Sequence, residues 1–103
     1  MIEALGALGG DTAEEKLRGV LDEDDPVAKT EAAGALARMG VFDEPVQAAF
    51  EEAVGADSSR IRFLAAEGLG QLREPRPKAA EMLARLLDDE DLSVVGKALD
   101  GLE

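Results

Sequence analysis

Apolar positions recur in this chain at intervals of 33 residues, and they do so on two separate helix faces. In the stretch Asp57–Leu72, Ile61, Ala65, Leu69 and Leu72 stand at i, i+4, i+8 and i+11, one face of an α-helix. One interval earlier Ala28, Ala32, Leu36 and Met39 hold the same places, and one interval later Val94, Ala98 and Leu102 do. A second series runs in register with the first: Leu17, Phe50 and Leu83; Val20, Ala53 and Leu86; Leu21, Val54 and Leu87. A helical unit of this size cannot bury its apolar face alone, so a fixed period specifies neighbours that bury it. The predicted fold is all-α, an α-solenoid of stacked antiparallel helical hairpins with about seven helices and a 33-residue period. Residues 1–103 are expected to be a single domain, with units near 1–24 (partial), 25–57, 58–90 and 91–103 (partial). Such a chain is expected to be a piece of a longer array, or to pair weakly with itself through uncapped ends.

Start and stop signals place the helices. A first helix is expected over Ile2–Leu8, stopped by Gly9-Gly10, and Thr12 with Glu15 forms a capping box for the second. Ala13, Leu17, Val20 and Leu21 are its expected buried face. Asp25-Pro26 opens a third helix that Gly40 ends, and Pro45 opens a fourth that Gly55 ends. Asp57 or Ser58 starts the fifth, Glu74-Pro75-Arg76-Pro77 is a rigid connector to the sixth, and Asp91 caps the seventh.

Composition removes most chemistry. The 103 residues include no Cys and no His, so disulfides, thiolate metal sites and the commonest general base are absent. No apolar run approaches the roughly 20 residues that cross a bilayer, and the N-terminus lacks the basic start of a secretory signal. A soluble, cytoplasmic protein is expected. With three Phe and neither Trp nor Tyr, Ala and Leu build the core, and the helices must lie close together. Gly6, Gly19, Gly34, Gly68, Gly70, Gly96 and Gly101 fall inside expected helices, where each costs about 1 kcal/mol against Ala. Close backbone approach between helices is the expected compensation, and both Met39 and Met82 are expected in the core.

Asp25-Pro26 with Lys29, Ala32-Ala33 and Leu36, and then Ile61-Arg62, Ala65-Ala66 and Leu69-Gly70, resemble the unit of HEAT-like repeats, in the short form named after phycobilisome lyases. The resemblance implies an α-solenoid and, for function, a protein-binding scaffold, with bilin lyase-like or chaperone-type activity as the alternative. It also implies a ladder of Asp and Arg side chains between units. Lys29, Arg62 and Val95 stand at the ladder's basic position, so only fragments of it are expected. The absence of His excludes the iron-dependent hydroxylases built on this repeat.

Two charge features remain. Asp22–Asp25 and Asp88–Asp91 are acidic runs 66 residues apart, readable as a site for a cation or a basic partner, or as compensation of helix N-terminal dipoles. No calcium-hand spacing is present, and no metal ligand, cofactor site or catalytic residue is assigned. Between them, residues 58–78 hold Arg60, Arg62, Arg73, Arg76 and Lys78 against Glu67 and Glu74. These five bases are the candidate protein-binding residues. Their alternative role is to neutralise neighbouring acids, with Arg62 pairing to an Asp of the adjoining unit. A net charge of −12 argues against nucleic acid and anionic membrane as partners, leaving a protein or peptide.

The same acidity is compatible with an ordinary acidic protein or with proteins of salt-loving microbes. Unfolding midpoints measured across potassium chloride concentrations separate the two: a halophilic chain loses stability markedly as salt is withdrawn, and an ordinary one changes little.

Overall fold

A computed structural model describes residues 9–72 and 76–102, which form helices and no strand. The helices are α1 (Gly9–Leu21), α2 (Pro26–Arg38), α3 (Glu44–Val54), α4 (Ser59–Leu69), α5 (Pro77–Leu86) and α6 (Leu92–Leu102). This all-helical arrangement is consistent with an α-solenoid of HEAT-like type. The expected helix at residues 2–8 lies outside the described residues, as do Arg73 and the Glu74-Pro75 part of the connector. None of the described helices is long and apolar enough to cross a membrane.

Local chemistry explains most boundaries. The Asp25 carboxylate accepts from the Val27 and Ala28 N–H groups at 3.0 and 3.3 Å, and Pro26 follows where its missing N–H is not needed. At the other end of α2, Gly40 adopts φ +88°, a conformation that favours glycine. Its N–H donates to the Ala37 carbonyl, and the Val41 N–H donates to that of Leu36, which closes the helix in a Schellman motif. Gly55 caps α3, Pro77 opens α5, and the Asp91 carboxylate accepts from the Ser93 N–H at 2.9 Å. Ser58 occupies the cap position of α4, but its hydroxyl makes no cap bond.

α2, α4 and α6 lie side by side, α4 in the middle, while α3 and α5 each pack against the helices that flank them in sequence. The closest approaches are backbone to backbone. A Cβ added to Gly68 on α4 would stand 2.9 Å from the Gly34 Cα on α2 and 2.8 Å from the Phe50 ring. One on Gly101 of α6 would stand 3.3 Å from the Gly70 Cα on α4 and 3.1 Å from Leu83. Phe50 and Leu83 are 33 residues apart, and so are Gly68 and Gly101, so the same wedge-on-glycine contact occurs twice. Phe50, the largest fully buried side chain, also meets Phe42 with ring centroids 6.1 Å apart.

The apolar faces are largely as expected. Val46, Ala49, Phe50, Ala53 and Val54 are all buried on α3, as are Ala79, Met82, Leu83 and Leu86 on α5. Four expectations need correction. Gly9, Gly10 and Thr12 lie inside α1, so the helix does not begin at Thr12 as expected; glycine lowers helix propensity without forbidding helix, and context overrides it. Ala13 is exposed on α1, and Leu17, Val20 and Leu21 of the expected face are only partly covered. Met39 is exposed because it is the C-cap of α2, where the chain already turns away from the helix. Leu102, at the end of α6, is 41% exposed although it borders a hollow with Leu69 and Leu72. The glycines also divide: Gly34, Gly68, Gly70 and Gly101 sit at close approaches, whereas a Cβ on Gly19 or Gly96 would meet nothing within 4 Å.

One substitution therefore has opposite signs at two sites. Gly68→Ala is expected to lower the free energy of unfolding by about 1–3 kcal/mol through overpacking. Gly19→Ala is expected to raise it by about 0.5–1 kcal/mol through helix propensity alone. Urea titrations of the two variants check both, and a neutral Gly68→Ala would contradict the close approach.

Candidate protein-interaction surface

The parallel run of α2 and α4 leaves a groove of about 290 Å³ on their outer side. Gly34 and Gly68 line its floor, where the two backbones meet. Glu31 and Arg38 line it from α2, and Leu64, Glu67 and Gln71 from the α4 side. Thr30 also lines it, with its hydroxyl satisfied by donation to the Pro26 carbonyl at 2.7 Å. Small-molecule sites are mostly apolar and enclosing. A shallow trough with charged rims suits an extended stretch of polypeptide better. Arg60 is exposed at the start of α4, on the same helical stripe as Leu64, Glu67 and Gln71.

The candidate bases do not form one cluster. Arg60 and Arg62 stand at the N-terminal end of α4. Arg76 and Lys78 stand at the start of α5, which adjoins the C-terminal end of α4. An 11-residue helix, about 16 Å long, separates the two pairs. Arg76 is half-buried, with its guanidinium 6.0 Å from the Phe42 ring centroid. Lys78 lies 3.4 Å from Glu51, which also pairs with Arg85. Arg73 lies outside the described residues. Of the described four, Arg60 is the base that is exposed and makes no ion pair with a described residue.

Arg62 is occupied elsewhere. Its Nε and Nη2 donate to the two oxygens of Asp89 at 2.5 and 3.2 Å, and its Nη1 donates to the carbonyls of Ala56 and Asp57 at 2.7 and 2.9 Å. The guanidinium thus joins the loop before α4 to the loop after α5. The side chains are 15% and 5% exposed. A bidentate pair this sheltered holds geometry as well as charge. Hydrogen bonding from Arg62 holds the Asp89 carboxyl below its ordinary range against the opposing effect of burial, and Asp89 in turn raises Arg62. Asp89 further accepts from the Asp91 N–H at 2.9 Å.

Lys29, one interval earlier, faces Ala56 where Arg62 has Asp89, and it pairs instead with Glu52 at 3.0 Å. Val95, one interval later, has no charge to offer. The acidic run at 88–91 is therefore partly structural, with Asp89 in the ion pair and Asp91 capping α6. Among the described residues, no three acids are grouped so as to hold a metal ion.

Sequence reasoning missed two cross-links. Arg18 bridges Glu14 and Asp43 at 2.9 and 2.7 Å, and Glu51 gathers Lys78 and Arg85. The seven-residue spacing of Lys78 and Arg85 puts both on one helix face, which was the available signal. Their shared acid, on a different helix, had none.

The family model of the PBS lyase HEAT-like repeat matches residues 61–89, the stretch from Ile61 in α4 through α5 to Asp89. The match spans both members of the Arg62–Asp89 pair. No curated protein and no solved structure matches the chain.

The lowered carboxylates set an acid limit. Asp89, Glu51 and Asp43 are all held below their ordinary values, chiefly by hydrogen bonds from Arg62, Arg85 and Arg18. A carboxyl depressed in the folded state contributes stability that is present above its unfolded value and is lost as pH falls through the folded one. Stability is thus expected to fall below about pH 4. Asp89→Asn should be less stable at pH 7 and show a shallower loss between about pH 4 and pH 2. Chemical denaturation at stepped pH checks this, and an unchanged acid slope would contradict it.

Proposed function

We propose that this chain is a non-enzymatic scaffold, a solenoid of HEAT-like repeats with a 33-residue period that binds a segment of another protein along the groove between α2 and α4. The observation that carries this reading is the HEAT-like match over residues 61–89, directly beside a groove floored by glycine. A helical-repeat framework gives rigid backbone positions, and the groove supplies Glu31, Arg38, Glu67 and Gln71 as hydrogen-bonding groups around Leu64. Arg60 adds an exposed positive charge to the same stripe.

An acidic segment on the partner suits the exposed Arg60 at the start of α4, while Arg62 works as an internal tie. Charge at the rim governs encounter rate and salt sensitivity more than final affinity. The reading assigns no reaction.

Affinity capture from native lysate, run at low and high salt, tests it. The wild-type chain is expected to retain a protein partner, with recovery falling as salt rises. Arg60→Glu is expected to reduce recovery by about tenfold, a loss of about 1.4 kcal/mol, while the fold is unchanged by circular dichroism. Recovery of only nucleic acid, or of a pigment, would overturn the reading.

A further inference from the structure

α6 carries an apolar stripe that the described residues leave largely exposed. Leu92, Leu99 and Leu102 are 82%, 50% and 41% exposed, and the half-buried Val95 lies in line with them. The buried side of the helix is a different one, held on its neighbours by Val94 and Ala98. Ala66 and Leu69 of α4 and Ala33 and Leu36 of α2 hold the places of Leu99 and Leu102, one and two intervals earlier, and all four are buried. Leu99 and Leu102 thus stand where the two preceding copies are buried, whereas Leu92 and Val95 stand where those copies carry Ser59 and Arg62, and Pro26 and Lys29.

Its spacing is 3, 4 and 3 residues, the heptad seam of paired helices. That order reads the same in both directions. A second α6 laid antiparallel across it, with the two-fold axis at residue 97, sets Leu92 against Leu102 and Val95 against Leu99 in both copies. Beside the stripe lies Gly96, exposed and with nothing within 4 Å of an added Cβ. Gly34, Gly68, Gly70 and Gly101 all sit where another helix comes close. Gly19 is also open, but its helical neighbours are Glu15, Lys16, Asp22 and Glu23, and no apolar stripe accompanies it. Among the described residues, Gly96 is the open glycine that adjoins exposed leucines.

We propose that two copies of this chain pair through α6 in an antiparallel, two-fold arrangement. Closed two-fold pairing needs one self-complementary patch, and this stripe is one. Four side chains per copy make a small seam, below the roughly 1,200 Å² of standard interfaces, so the pairing depends on concentration. Because each copy carries −12, salt strengthens the association by screening repulsion, the reverse of the salt response of a charged peptide in the α2–α4 groove.

Sedimentation velocity from about 10 μM to about 1 mM, at low and high potassium chloride, tests the pairing. The mass is expected to rise from one chain towards two, at lower concentration when salt is high, and Leu99→Lys is expected to remain a single chain with unchanged circular dichroism. The chain has no cysteine, so introduced ones report orientation. Leu92→Cys mixed with Leu102→Cys is expected to cross-link on oxidation more than either variant alone. A single-chain mass throughout, masses beyond two chains, an unaffected Leu99→Lys variant, or preferential self-cross-linking of Leu92→Cys would each overturn the proposal.

Discussion

The structure depends on how closely α2, α4 and α6 approach one another. With so few aromatic side chains, the core has little bulk to hold helices apart, and glycine at the crossings lets the backbones meet. Phe50 and Leu83 then press on Gly68 and Gly101 from the neighbouring helices. Helix propensity lost at each glycine is offset by dispersion contacts that a larger residue would exclude. The same approach shapes the surface. Because Gly34 and Gly68 bring α2 and α4 together without side chains between them, the groove above them has a backbone floor and polar rims. Packing and candidate function therefore trace to one contact.

Charge organises what packing leaves open. In a chain so rich in carboxylates, several bases tie acids from another part of the fold. Arg62 ties Asp89 and two loop carbonyls, Arg18 ties α1 to Asp43, and Glu51 ties α3 to α5 through Lys78 and Arg85. These contacts differ in weight. The Arg62–Asp89 pair is sheltered and bidentate, whereas the Lys29–Glu52 pair has its acid in open solvent and contributes little. Arg60 is exposed and makes no ion pair with a described residue.

The periodic apolar pattern made the helical faces legible, and the caps at Asp25, Gly40 and Gly55 were readable from local chemistry. The pairing of Arg62 with an Asp of the adjoining unit was also readable as one alternative, although which Asp was not. The remainder depended on geometry that a linear pattern does not carry. Periodicity put Met39 on a buried face, but the Schellman turn at Gly40 takes it out of the helix first. Gly9-Gly10 looked like a stop, yet propensity alone does not end a helix. Most plainly, Gly19 and Gly68 look alike in sequence. They differ because only Gly68 faces another backbone, 34 residues away in the chain. For the candidate bases, local density along the chain did not survive folding, since opposite ends of α4 separate Arg60 and Arg62 from Arg76 and Lys78.

The close approach is tested most directly by a double-mutant cycle between Gly68 and Phe50. Phe50→Leu alone leaves a cavity and destabilises, and Gly68→Ala alone overpacks. If the added methyl group collides with the Phe50 ring, the smaller Leu side chain relieves part of the collision. The double variant is then expected to be more stable than the sum of the single changes allows, by about 0.5 kcal/mol or more. Strict additivity in denaturant titrations would contradict the wedge-on-glycine contact on which the fold and the groove both rest.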